Sequence, residues 1–120
     1  MDSNSKGCIA EYKFGIECLK RDIKVSYPLL HTSFYDCIAD TGDNMYRVQI
    51  KSTTQGYQKY RKTVHIQWKH SYEKKDVDYF AIWVEKFDGF FIFKNDGKRL
   101  AVRLSLENDY SKYFNNFDFN

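Results

Sequence analysis

The sequence predicts an α+β fold in which one N-terminal helix precedes a mixed, mainly antiparallel sheet. Two observations predict it. Apolar residues recur at helical spacing near the start of the chain, and beyond them clusters of turn-forming residues separate short runs rich in aromatic and β-branched side chains. A third observation sets the scale: 120 residues suit a single domain spanning 1–120, and 42% hydrophobic residues, with 10 Tyr, 10 Phe and 2 Trp, supply large apolar surface for one core.

The helix is expected over residues 5–21. Ser3, Asn4 or Ser5 can cap its start, and Ile9, Tyr12, Ile16 and Leu19 recur at spacing 3, 4 and 3, forming an apolar stripe. Glu11 lies off that stripe, in a row with Cys8, Gly15 and Cys18 that borders it. Residues 24–30 form a short extended run ending in Pro28-Leu29-Leu30, and residues 34–40 a second strand. Asp40-Thr41-Gly42-Asp43-Asn44 then gathers residues that tolerate tight turns, and residues 45–53 alternate regularly, so a hairpin is expected. Past Asp78, strands over 79–86, 90–94 and 100–106 are separated by turns at Phe87-Asp88-Gly89 and Asn95-Asp96-Gly97. The tail, 109–120, is expected to be a short docking helix or an irregular cap.

Composition excludes several classes. The mean hydropathy of −0.66 and the lack of any apolar run near the roughly 20 residues a membrane helix needs argue against a spanning segment. Residues 1–7 are polar where a signal peptide would turn apolar, so a cytoplasmic protein without a membrane partner is expected. Cys8, Cys18 and Cys37 contain no C-x-x-C, which disfavours a disulfide framework or zinc cluster and leaves buried thiols as the expectation. The net charge of +3 is unevenly placed: residues 57–75 hold six Lys or Arg against Glu73, a local +5 that leaves −2 elsewhere. Tyr57, Tyr60, Trp68 and Tyr72 are interleaved with those cations, a mixture suited to phosphate contact plus stacking. The plainer alternative is a solvated, lysine-rich surface segment.

The first hairpin carries the chemistry. With its turn centred between Gly42 and Asp43, Asp36 stands opposite Gln49 and Phe34 opposite Lys51. Strand alternation puts Gln49 and Lys51 on the same face, so a carboxylate, an amide and an ammonium converge within a few ångströms. A solvent-facing strand surface with an ion pair of little worth is the alternative. Metal-assisted phosphodiester hydrolysis uses such a set, because Mg²⁺ keeps several waters and needs one or two protein oxygens besides a substrate phosphate. Asp36 would anchor the cation and Gln49 ligate it without adding charge. Lys51 would orient the attacking water and offset charge on the phosphorane, and Glu11 could supply a second carboxylate.

At these residues the sequence resembles the PD-(D/E)XK nuclease superfamily. The matching positions are Glu11, Asp36 in Phe34-Tyr35-Asp36-Cys37-Ile38, and Gln49-Ile50-Lys51. Within that superfamily it is similar to the intron-encoded homing endonucleases of cyanobacterial group I introns and their phage relatives, through Tyr46-Arg47-Val48-Gln49-Ile50-Lys51-Ser52 and Val77-Asp78-Tyr79-Phe80-Ala81. The likeness spans about residues 6–84. Tyr35 stands where the motif has Pro, and Gln49 where most of the superfamily has an acid, as in the homing subgroup.

The resemblance implies a restriction-endonuclease-like core with a DNA-contacting insertion. It further implies a Mg²⁺-dependent site-specific double-strand DNA endonuclease of homing type, with Mn²⁺ able to substitute, in a bacterial or phage-infected host. Glu11, Asp36, Gln49 and Lys51 would be catalytic, with Asp36, Gln49 and Glu11 on the metal. Lys59, Arg61, Lys62, Gln67, Trp68, Lys69, Lys74 and Lys75 would contact double-stranded DNA. A homo-oligomer, tetramer or dimer, is implied, with the aromatic strands 79–93 and the tail as candidate subunit contacts unless they form the core. Alternatives are a Holliday-junction or repair nuclease, a catalytically inert DNA-binding module on the same fold, and a protein-interaction domain. His31, His65 and His70 are expected to be surface or groove residues, and Asp76 and Asp78 to serve turn and strand entry.

Overall fold

The structure is a computed structural model that describes residues 2–30, 32–54 and 62–120. Among the described residues, α1 (Ser3–Leu19) is followed by β1 (Lys24–Ser26), β2 (Cys37–Asp40), β3 (Met45–Thr53), β4 (Thr63–Gln67), β5 (Tyr79–Val84), β6 (Gly89–Lys94) and β7 (Ala101–Ser105). Short 3-10 helices cover Glu85–Phe87 and Asp109–Tyr113. One sheet runs β1-β2-β3-β5-β6, antiparallel except for the parallel β3/β5 pair, and β4 and β7 form a separate antiparallel pair. The expected α+β class and largely antiparallel pairing are both present.

The expected hairpin register is found. Cys37 pairs with Val48, Ile38 with Arg47, Ala39 with Tyr46 and Asp40 with Met45. Its turn is closed by Thr41 N–H donating to Asn44 O at 2.9 Å, and by Gly42, whose φ of 93° lies where a side chain is strained. Alternation then sends Cys37, Ala39, Val48 and Ile50 to one face of the sheet, where α1 covers them.

The helix buries a different stripe from the expected one. Asp2 caps it by accepting from Ser5 N–H at 2.8 Å, ahead of the three candidates read from the sequence. Ala10, Phe14, Gly15 and Cys18 face the sheet, while Ile9, Tyr12, Ile16 and Leu19 stay 38, 66, 53 and 64% exposed. Phe14 decides the rotation. Its ring meets Phe90 at 5.5 Å and Phe117 at 5.8 Å, and the small residues beside it let the helix settle close to the strands. Glu11 therefore sits beside the buried face and is directed to the sheet.

The opposite face of the sheet carries Phe80, Ile82, Val84, Phe91 and Phe93, packed against Val64, Val102 and Leu104 of β4 and β7. A parallel pair needs a crossover, and the chain between β3 and β5 makes it over this face, laying down β4 on the way. The aromatic strands are thus core on both sides. The tail joins them: Tyr110 and Tyr113 lie on Phe93, and Phe119 stacks on Tyr46 at 4.9 Å. Most of those rings are core, with Trp83, Tyr110, Tyr113 and Phe114 partly exposed, and the exposed apolar surface includes the α1 stripe.

Cys18 and Cys37 are buried thiols, but Cys8 is exposed. Burial pushes the Cys18 thiol up to about 12 and the Cys37 thiol upward as well. Among the described residues no helix is long and apolar enough to cross a membrane. His31 lies outside the described residues; His65 and His70 are exposed.

Candidate active site

The hairpin, the helix and the crossover segment meet at Asp36. β2 begins one residue later than this carboxylate, because residues 34–36 bend away from the ladder and Phe34 is exposed instead of pairing with Lys51. Ladder pairing continues only through Asp36 N–H, which donates to Val48 O at 2.9 Å. The Asp36 side chain takes over where the backbone leaves: its Oδ2 accepts from Ile50 N–H at 2.7 Å, capping an amide that would otherwise lack a strand partner. The carboxylate is thereby fixed over β3 between Gln49 and Lys51.

Gln49 and Lys51 pair with Phe80 and Ile82 of β5, whose side chains belong to the core on the face opposite α1. Both are half-buried. Lys51 Nζ donates to Tyr72 Oη at 3.2 Å and stands 5.0 Å from the ring centres of Trp68 and Tyr72. Burial lowers the Lys51 pKa, and the Asp36 charge opposes that shift.

Glu11 approaches from the helix side. Its pKa is raised first by burial, then by the charge of Asp36 and by a side-chain hydrogen bond to it. Burial also raises the Asp36 pKa, against the lowering effect of the Ile50 amide, Glu11 and Lys51. Burial thus raises both carboxyls, and Asp36 raises Glu11 further while the hydrogen bond from Glu11 lowers Asp36. Glu11 is anchored through its own backbone: its carbonyl accepts from Tyr27 Oη–H at 3.1 Å. Gly15 makes room for that phenol, since a Cβ there would fall 2.6 Å from Tyr27 Oη.

The donor set is two carboxyls and a neutral amide oxygen. Oxygen donors of this kind suit a hard cation that retains water, and among the described residues no cluster of three or more His, Cys, Asp or Glu is found. Asp36 and Glu11, which are hydrogen-bonded to each other, fit Mg²⁺ or Mn²⁺ in this respect, and the Asp36 charge acts on Lys51.

The cationic residues are distributed along the crossover. Lys59 and Arg61, like Tyr57 and Tyr60, lie outside the described residues. Lys62, Gln67, Lys69, Lys74 and Lys75 are exposed, with Lys62 near Glu107 at 3.3 Å and Lys75 near Glu73 at 3.6 Å. Trp68 is different: its Nε1–H donates to Arg99 O at 2.9 Å and its ring lies 4.9 Å from Phe80. Its partly buried ring stands beside Lys51. Asp78 serves strand entry, accepting from Arg47 N–H at 2.8 Å and Nε at 3.1 Å. This pair ties together the two segments that carry the homing-type likeness.

Sequence reasoning missed Tyr27 as a support for Glu11 and Tyr72 as the partner of Lys51. Tyr72 had been noted only as one ring among cations. The alternation Val64, Ile66 against His65, Gln67 was the available signal for β4, the other missed element.

A family model described as PD-(D/E)XK endonuclease matches residues 1–118. Among solved structures, the chain is similar to the bacterial homing endonuclease I-Ssp6803I, with a TM-score of 0.75, 20% identity, and coverage of 95% of this chain and 89% of that one. It is also similar to Archaeoglobus fulgidus Hjc, a Holliday junction resolvase from an archaeal hyperthermophile, with a TM-score of 0.54, 10% identity, and coverage of 83% and 84%. At these identities the likeness concerns the fold. No curated protein matches the chain.

Proposed function

Because the chain belongs to the PD-(D/E)XK endonuclease family, we propose that it is a divalent-metal-dependent, site-specific double-strand DNA endonuclease of homing type. The observation that carries this reading is the meeting of Glu11, Asp36 and Lys51 at the mouth of the first hairpin, with both carboxyls raised by burial and the Asp36 charge acting on Glu11 and on Lys51. Asp36, Glu11 and the Gln49 side-chain oxygen would hold Mg²⁺, with Mn²⁺ able to substitute. The chemistry a bound cation supplies is polarisation of the scissile phosphate. Lys51 orients the attacking water and offsets the charge that builds on the phosphorane. Tyr27 and Gly15 fix the helical turn that presents Glu11.

The exposed cations of the crossover, Lys62, Lys69, Lys74 and Lys75, belong to the segment that covers the Lys51 face and would contact phosphates there. Cutting both strands requires two such sites, so association of copies into a dimer or tetramer is part of the reading. The α1 stripe of Ile9, Tyr12, Ile16 and Leu19 is one apolar surface open to it among the described residues.

Selection of cleaved sites from a randomised or genomic DNA pool with Mg²⁺ tests the proposal. Cut ends are expected on both strands of one extended sequence. Preference for four-way junctions over linear duplex would instead assign a junction-resolving role, and no cleavage with either Mg²⁺ or Mn²⁺ would leave an inert DNA-binding module.

A further inference from the structure

The Lys51 ammonium does not end in solvent. It is received by two rings of the crossover segment, with Tyr72 Oη accepting its hydrogen bond at 3.2 Å and both Tyr72 and Trp68 presenting ring centres at 5.0 Å. A cation in partial contact with two π faces and a phenol oxygen is held more firmly than any one of those contacts would hold it.

Both rings are themselves braced. Trp68 rests on Phe80 and is pinned by its bond to Arg99 O at 2.9 Å. Tyr72 meets Phe80 edge-on at 5.6 Å, and its backbone is held from just past the end of β6: the Asn95 side-chain amide donates to Tyr72 O at 2.8 Å and to Val77 O at 2.9 Å. Asn95 is a buried polar residue, and its amide is used to fasten this loop.

We propose that Tyr72 and Trp68 are positioning residues for Lys51, a two-ring clamp that seats its ammonium beside Asp36. The clamp is carried by the same segment as the exposed cations Lys62, Lys69, Lys74 and Lys75. The proposal rests on the reading of Lys51 as the lysine of the active site, and it is tested by one measurement that needs no catalysis and one that does.

The first uses the full chain with ¹³C- and ¹⁵N-labelled lysine. Ring shielding is expected to move the Lys51 ε-methylene signal upfield of the other lysines, with Lys51→Arg providing the assignment. Tyr72→Phe should keep most of that shift because the ring remains, whereas Tyr72→Leu should remove much of it. A Lys51 signal among those of free lysines, or one indifferent to Tyr72→Leu in a folded variant, overturns the clamp. If Tyr72→Leu fails to fold, Trp68→Phe and Tyr72→Phe carry the comparison: small graded shifts at Lys51 alone support the clamp, and none overturns it.

The second measures cleavage of the selected target. Tyr72→Phe is expected to lower kcat about threefold to tenfold, the effect of one lost hydrogen bond to a charged group. Tyr72→Leu should lower it further, with KM changed less than about twofold because the phenol contributes little to ground-state binding. An unchanged kcat in Tyr72→Leu overturns the positioning role. A wild type that cuts nothing yet shows the shielded, Tyr72-dependent lysine signal refutes the nuclease reading while supporting the clamp.

Discussion

Lys51→Ala is expected to reduce DNA cleavage about a thousandfold while leaving DNA affinity within about twofold. The size follows from the residue's place. Its ammonium is within reach of the Asp36 charge on a half-buried face, where a fixed charge counts for far more than it does in water. Affinity should barely respond, because Lys51 is one cation among many and is occupied by Tyr72 and Trp68, whereas Lys62, Lys69, Lys74 and Lys75 are exposed. Single-turnover cleavage with Mg²⁺ and fluorescence anisotropy in EDTA separate the two effects. Loss of binding with cleavage retained would remove Lys51 from the chemistry and make it a phosphate contact.

Phe80→Ala is expected to cost about 3–5 kcal/mol of stability, a large part of the roughly 5–15 kcal/mol typical of a folded domain. Phe80 is fully buried in β5, beside Gln49 of β3 and opposite Phe93 of β6. Its ring touches Trp68 at 4.9 Å, Tyr72 at 5.6 Å and Phe93 at 5.7 Å. The cavity therefore opens directly behind the rings that receive Lys51, and cleavage should suffer even at temperatures where the variant is folded. For a chain of this length the melting temperature should fall by about 12–20 °C, measured by calorimetry. Leu29→Ser, on an almost fully exposed side chain, should change it by less than about 2 °C. Similar shifts in the two variants would contradict the packing described.

These two residues also mark what was legible in the sequence. The register of β2 against β3, from Cys37 with Val48 to Asp40 with Met45, could be read because it is local: a glycine-containing turn and strict alternation fix it over a few residues. The extent of β2 could not, since nothing in the chain announces that the Asp36 side chain replaces a backbone acceptor for Ile50. Helix rotation was ambiguous for a different reason. Both Ile9-Tyr12-Ile16-Leu19 and Ala10-Phe14-Cys18 are apolar stripes, and the choice falls to Phe14 meeting Phe90 and Phe117 from the far end of the chain. That choice mattered, because it turns Glu11 toward Asp36. The parallel β3/β5 pairing and the Tyr72 contact are likewise non-local, set by a crossover whose cations masked the alternation of β4.

The central claim is that Asp36, Glu11 and Gln49 form a seat for a divalent cation. Calorimetric titration of Mn²⁺ into the wild-type chain and into Asp36→Asn at neutral pH tests it most directly, since asparagine can still accept the Ile50 amide and keep the hairpin closed. The expected result is saturable binding by the wild type and none by the variant. Equal binding by both proteins, or none by either, would contradict it.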